Sequence, residues 1–341
     1  MRILITGGAG FIGCNLADRC LGEGHQVTLL DNLSRRGSEA NLAWLNGRHG
    51  EERLGFVRAD VRDAEAMLQA AGGQEAIYHL AAQTAVTTSV TDPRTDFEIN
   101  ALGTFNVLEA ARRAGADPVF IYASTNKVYG GMEDAPAVEE ATRYVLPDYE
   151  GGVGEDRPLD FHSPYGCSKG SADQYVRDYA RIYGLRTVVF RQSCIYGQRQ
   201  MGVEDQGWVA WFVIASVLGR PITIYGNGKQ VRDLLHVDDL VRAFMVATER
   251  IDLTAGHVFN LGGGPANTLS IWAEFGPLLA ELLGRPIEPA AFRTWRPGDQ
   301  PVFVADVSKA QRVFGWAPEV SVREGVARLI EWVQQNRDLF A

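Results

Sequence analysis

Cysteine is scarce in this 341-residue chain. Only Cys14, Cys20, Cys167 and Cys194 are present, with no CxxC pair and no closely spaced histidine partner. That argues against both a zinc site and a disulfide framework, and it points to the cytoplasm. Long apolar runs are missing too. The longest, Trp208 to Leu218, falls far short of the roughly 20 residues a membrane span needs. The first residues, Ile3-Leu4-Ile5 before Thr6-Gly7-Gly8, read as a β-strand rather than a signal peptide. Positive charge is also in deficit: 33 lysines and arginines against 42 aspartates and glutamates leave a formal charge of −9. A protein that coats nucleic acid or an anionic membrane needs the opposite balance, so neither is expected as a partner. A small basic pocket for a phosphate remains open.

What the sequence does hold is alternation. Arg2–Ile5, Gln26–Leu30, Phe56–Arg58, Ala76–Leu80 and Pro118–Tyr122 read as strands, with helices at Phe11–Leu21, Ala64–Ala71 and Arg94–Ala114 between them. A further helix is expected over Ser163–Tyr183, capped by Ser163 with Pro164 at its first position, and then a strand over Arg186–Phe190. Strand and helix in turn predict an α/β fold, a Rossmann-like doubly wound parallel sheet. The regularity breaks near Ile195. Residues 1–195 are expected to form the dinucleotide-binding domain and residues 196–341 mainly a smaller C-terminal substrate-binding domain, with chain crossovers back to the first allowed. Short β segments are expected at Ile222–Tyr225, Leu234–Val237, Val258–Leu261 and Val302–Ala305, and loops at Gly262-Gly263-Gly264, Arg285-Pro286 and Pro297-Gly298. The acidic, period-free stretch Gly130–Phe161 predicts a solvated surface loop, with a substrate lid as the functional alternative.

Thr6-Gly7-Gly8-Ala9-Gly10-Phe11-Ile12-Gly13 follows a strand and opens a helix. Glycines at 7, 10 and 13 let the backbone turn, approach a pyrophosphate and pack the helix on the sheet, with phosphate on the helix's positive end. Asp31, at the end of the next strand, is placed to accept from ribose hydroxyls and repel a 2′-phosphate. NAD is therefore expected over NADP, although Arg35 and Arg36 stand close by.

Tyr165-Gly166-Cys167-Ser168-Lys169 puts a phenol and an ammonium on one helix face. A lysine cation and an oxidised nicotinamide both favour phenolate, giving a base for a sugar hydroxyl. Ala123-Ser124-Thr125 at a strand end offers a hydroxyl to the reacting oxygen.

Together these motifs resemble the extended short-chain dehydrogenase/reductase family of NAD-dependent sugar-nucleotide epimerases and dehydratases, over nearly the whole chain. The resemblance implies a catalytic set of Thr125, Tyr165 and Lys169. It implies cofactor contacts from the glycine turn (Gly7, Gly10, Phe11, Ile12, Gly13), from Asp31, Asn32, Ser34 and Arg35, and from Asp60 and Val61 at the adenine. Leu80, Ala81, Ala82, Gln83, Asn100, Tyr165 and Lys169 complete that list. It implies substrate contacts from Ser124, Thr125, Asn126, Gln206, Arg232, Arg296 and Asp299, the two arginines gripping a diphosphate as guanidinium forks suit phosphate oxygens. It also implies a homo-oligomer. Within the family, 4,6-dehydratases carry Thr-Asp-Glu before Val-Tyr-Gly; this chain has Thr125-Asn126-Lys127, which lacks that acid–base pair. The stretch is similar to the branch that inverts carbon 2 of CDP-linked hexoses or 3,6-dideoxyhexoses. Many relatives place Asn where this chain has Cys194, a weaker donor. The alternatives are a 4-epimerase or 4,6-dehydratase and, from another class, a non-catalytic NAD-binding scaffold.

Overall fold

A parallel strand covered on both faces needs a nearly unbroken apolar run, and the chain supplies such runs at intervals as far as Leu261. In the computed structural model, which describes residues 1–296 and 299–340, they form β1 (Arg2–Thr6), β2 (Gln26–Asp31), β3 (Leu54–Arg58), β4 (Ala76–His79), β5 (Val119–Thr125), β6 (Thr187–Gln192) and β7 (Val258–Leu261). All seven pair in parallel in the order β7-β6-β5-β4-β1-β2-β3. The order reverses between β1 and β4, so a crevice opens there at the carboxyl ends of the strands.

Each face of the sheet has its own core. On one, α1 (Phe11–Gly22) and the helix Val237–Glu249 bring Leu16, Cys20, Phe244 and, from farther on, Trp316 against Ile5, Leu29 and Phe190. On the other, α2 (Ala64–Ala71), α3 (Gly103–Arg113) and α4 (Ser163–Tyr183) bring Met67, Val107 and Val176 against Leu4, Ile77 and Phe120. The smaller unit is built on the helix Trp208–Leu218, whose long apolar run is buried against Phe275, Val326 and Leu329. Beside it lies a three-stranded sheet of Thr268–Ser270, Val231–Asp233 and Val302–Phe303. The chain does cross back: β7 and Val237–Glu249 follow residue 195 yet belong to the large sheet's layers. No helix among the described residues is long and apolar enough to cross a membrane.

Two local differences from the sequence expectations bear on the site. The expected helix Arg94–Ala114 is three pieces: Pro93–Phe97, a wider π turn at Glu98–Leu102, and α3. Gly130–Phe161 is mostly exposed or half-buried, as a solvated loop would be, but it is anchored by a few buried residues. Met132, Leu146 and Val153 are buried with Val231, Val302 and Phe303, and Val153 exchanges backbone bonds with Val304 (2.7 Å) and Asp306 (3.0 Å). Pro297 and Gly298, expected as a loop, lie outside the described residues. At α4 the N-cap position is His162 rather than the expected Ser163, which is the first helical residue and accepts the Gly166 N–H through Oγ at 3.2 Å.

Candidate active site

The cofactor cleft follows from where side chains are missing. Gly7 sits at φ +68, a left-handed conformation natural to glycine, and a Cβ there would stand 2.7 Å from the Ala81 backbone nitrogen. A Cβ on Gly13 would run into the Gly7 carbonyl, so α1 can close on the turn only with glycine at that position. The result is a cleft of about 330 Å³ lined by Gly7, Gly10, Phe11, Ile12 and Gly13, by Asp31, Asn32, Ser34 and Arg35, by Asp60 and Val61, and by Leu80 to Gln83. Asp31 accepts the Ala9 N–H at 3.1 Å and the Leu33 N–H at 2.8 Å. Burial raises its carboxyl while those backbone donors oppose the rise. Asp60 is fixed by both nitrogens of an Arg62 fork at 2.9 Å and by Asn32 Nδ2 at 2.8 Å. The Arg62 bonds draw it down to about 2. A backbone cradle at a helix N-terminus with a fixed carboxylate at the second strand's end fits a dinucleotide.

Asn100 does not line this cleft. Its Oδ1 accepts the Gln83 N–H at 2.9 Å and its Nδ2 donates to Gln83 O, Asp96 Oδ1 and Ser168 Oγ at 3.0–3.1 Å. Its hydrogen bonds brace the wall of the cleft. Asp96 is the hub of this buried network, accepting Ser168 Oγ at 2.5 Å and Gln83 Nε2 at 2.8 Å. Neither Asp96 nor Ser89, whose hydroxyl takes the Tyr165 N–H at 3.1 Å, is singled out by sequence. Their importance comes from partners about 70 positions away.

The three residues expected to carry catalysis come together. Thr125 ends β5, and Tyr165 and Lys169 lie one turn apart on α4, all of them buried. Burial pushes the Tyr165 phenol up to about 12, and its hydrogen bond with Thr125 opposes this. Burial pulls the Lys169 ammonium down to about 7, opposed by Asp173 and Asp96. Lys169 Nζ donates to Ala123 O at 2.6 Å and stands 4.3 Å from the Tyr122 ring centre. It is therefore held by a carbonyl, the acceptor a buried ammonium requires, rather than set against the phenol as its position in the helix suggests.

Ser124 is a correction. Successive strand side chains point to opposite faces, so with Thr125 at the site Ser124 turns inward, donating to Asp173 Oδ2 at 2.8 Å. It does not face substrate. Asp173 in turn is clamped by Arg191 through Nε (2.9 Å) and Nη2 (3.0 Å), and Arg191 Nη1 reaches Tyr129 Oη at 3.1 Å.

On the substrate side, Arg232 donates to Asp299 Oδ1 at 2.6 Å and to Gln300 O at 2.8 Å. Asp299 is thus its ion-pair partner. Arg296 pairs with Asp205 at 3.0 Å and lies 4.0 Å from the Tyr225 ring centre. Gln206 lines the cofactor cleft and bonds Thr84. Asn126 accepts a long 3.4 Å bond from Thr125. Cys194 adopts φ +36, and burial raises its thiol, opposed by Arg232.

A switch-point cleft for a dinucleotide, in a chain that also holds a buried Thr–Tyr–Lys set, fits a dinucleotide-dependent enzyme. Residues 3–262 match the NAD dependent epimerase/dehydratase family, and the chain belongs to it. It is 44% identical over 339 residues to a CDP-paratose 2-epimerase of Salmonella typhi, covering 97% of this chain and 99% of the relative. It is 36% identical to a UDP-glucose 4-epimerase of Mycolicibacterium smegmatis, covering 98% and 99%. A dTDP-glucose 4,6-dehydratase from Streptomyces venezuelae, solved with NAD bound, superposes with a TM-score of 0.84 at 30% identity, covering 99% and 98%. The cofactor is NAD, and the protein is an enzyme of nucleotide-sugar chemistry.

Proposed function

We propose that the protein is an epimerase inverting carbon 2 of a CDP-linked hexose or 3,6-dideoxyhexose through a transient keto sugar. The observation that carries this is the turn Asn126–Tyr129 after Thr125, which holds no carboxylate. Eliminating water needs an added acid and base there; taking hydrogen from one carbon and returning it does not. The choice of cytidine and carbon 2 rests on the similarity to the CDP-paratose 2-epimerase.

Tyr165 is the base for the sugar hydroxyl, and Thr125, bonded to it, steadies the reacting oxygen. Bound NAD supplies the two-electron acceptor and a positive ring charge that favours phenolate. Lys169, anchored on Ala123 O, fixes the electrostatics behind the phenol. Arg232 and Arg296, each held ready by a carboxylate, grip the diphosphate while the flat keto sugar turns its other face. The test is CDP-paratose deuterated at carbon 2, followed by NMR. Label kept at an inverted carbon 2, with none entering from deuterated solvent, is expected. Washout, or inversion at carbon 4, overturns the proposal.

The proposal includes a homodimer. Leu102 and Phe105 beside α3, and Tyr175 and Ile182 on α4, are exposed large side chains on neighbouring helices, with Phe105 and Tyr175 in edge contact at 6.0 Å. A two-fold axis would bury this patch against its own copy. Sedimentation should give twice the chain mass, and Phe105→Asp with Tyr175→Asp should give the single mass; an unchanged mass in the variant places the interface elsewhere. Four free cysteines fit the cytoplasm.

A further inference from the structure

Between Tyr196 and the helix Trp208–Leu218 the chain runs without a helix or a named strand. Arg199, Gln200, Met201, Gly202 and Gln206 of this strap line the cofactor cleft together with the glycine turn. The strap is tied down at several points. Asn15 Nδ2, on α1, donates to Gln198 O at 3.0 Å. Asn41 Nδ2 donates both to Ala9 O in the glycine turn, at 3.1 Å, and to Arg199 O at 3.4 Å. Met201 closes on Gly37, where a Cβ would collide with its side chain, and Gln206 bonds Thr84.

Arg199 itself adopts φ +67, a left-handed backbone uncommon for a residue with a side chain. Its guanidinium carbon lies 3.8 Å from the Trp44 ring centre and 5.8 Å from that of Trp332. Trp44, on the helix Ser38–His49, packs against the core of the large sheet; Trp332, on the helix Val322–Gln335, packs against the core of the smaller unit. One cation thus stands between an indole of each unit. Asp18, whose charge reaches it, is taken up by Arg48 and His49 at 2.7 Å each. Among the described residues, Arg199 is therefore held by the rings and not by a carboxylate. A guanidinium lies flat on an aromatic face, and the attraction strengthens as water is excluded.

We propose that Arg199 and Trp44 are the latch of this strap: residues 197–206 bar the path of NAD while the guanidinium sits on the indole, and NAD enters or leaves when it lifts off. A reaction that lends hydrogen to NAD and takes it back needs the reduced cofactor to stay in place until the return. The latch supplies that retention whichever carbon of the sugar is inverted.

The experiment uses the full-length enzyme loaded with radiolabelled NAD and chased with unlabelled NAD, with no sugar present, so its outcome is separate from that of the carbon-2 proposal. Arg199→Met should speed loss of label about tenfold, the scale of one partly desolvated cation–π contact. Trp44→Leu should do the same, and the double variant should be no faster than either single one, because both remove one contact. Arg199→Lys, which keeps the charge without the flat fork, should fall between wild type and Arg199→Met. Association of NAD with NAD-depleted enzyme should quicken in the same variants, since the strap bars entry as well as exit. If Trp44→Leu fails to fold, the two Arg199 variants and their association rates decide. Exchange at the wild-type rate in Arg199→Met overturns the proposal. So does faster loss in Arg199→Met with unchanged association, or with unchanged loss in Trp44→Leu, because the guanidinium would then be touching the cofactor itself.

Discussion

Tyr165→Phe is expected to lower kcat by about 10³-fold, within the range for loss of a positioned general base. CDP affinity and the unfolding midpoint should stay within experimental error. The change removes one hydroxyl from a buried ring whose remaining contacts are unaltered, so little packing is lost. The pH profile adds a second check. Burial holds the phenol well above neutral, at about 12, so the active phenolate is the minor form and wild-type kcat/KM should climb as pH rises from 6 to 9. The residual rate of the Phe variant should lack that climb. A variant retaining a tenth or more of wild-type turnover would require the proton to leave by another group.

Asp173→Ala should destabilise the fold by about 3–5 kcal/mol, the cost of leaving a buried charge without its partner. The Arg191 side chain is 2% exposed and that of Asp173 is fully buried. Without the carboxylate, a guanidinium stays in the core with, among the described residues, only Tyr129 Oη to meet it, and Ser124 loses its acceptor. Urea unfolding measures the loss. Asp173→Leu with Arg191→Met should be less destabilised than Asp173→Leu alone, because no guanidinium is left inside without its carboxylate. A single-variant loss below about 1 kcal/mol would show that water or a neighbour compensates Arg191. Since Ser124 adjoins Thr125, the less stable variant should also lose turnover.

Much of this was readable in the sequence because local pattern and tertiary role agree. Ala64–Ala71, Ser163–Tyr183 and Val258–Leu261 have the limits their apolar spacing predicts. The glycine turn and Asp31 stand on the cleft. Where pattern and role part, the sequence is a poor guide. The π turn at Glu98–Leu102 keeps an apolar stripe that any helix would show, yet it accompanies Asn100 reaching Gln83 and Ser168, a need set by distant strands. Ser124 resembles a site residue because it neighbours one, while strand alternation sends it the other way. Arg232 and Asp299 both read as substrate ligands, and only their 2.6 Å contact reveals them as a pair. Gly130–Phe161 lacks a period because its buried residues fit an irregular surface rather than a helix or strand.

The return of the chain to the large sheet through β7 has a bearing on how such enzymes could be recombined. A chimera with a single junction near residue 195 would part β6 from the strand it pairs with over Val258–Leu261, and would strip Leu240, Phe244 and Trp316 from one face of the sheet. Neither half would inherit a closed core. Exchange of substrate preference between relatives is compatible with the fold only as two separate grafts, one drawn from the stretch before Val237 and one from the stretch after Leu261 that leaves Phe314 and Trp316 in place, with the intervening helix and strand kept from the parent that supplies the cofactor cleft. New specificity on this scaffold therefore arises by rewriting loops in pairs, not by trading whole modules.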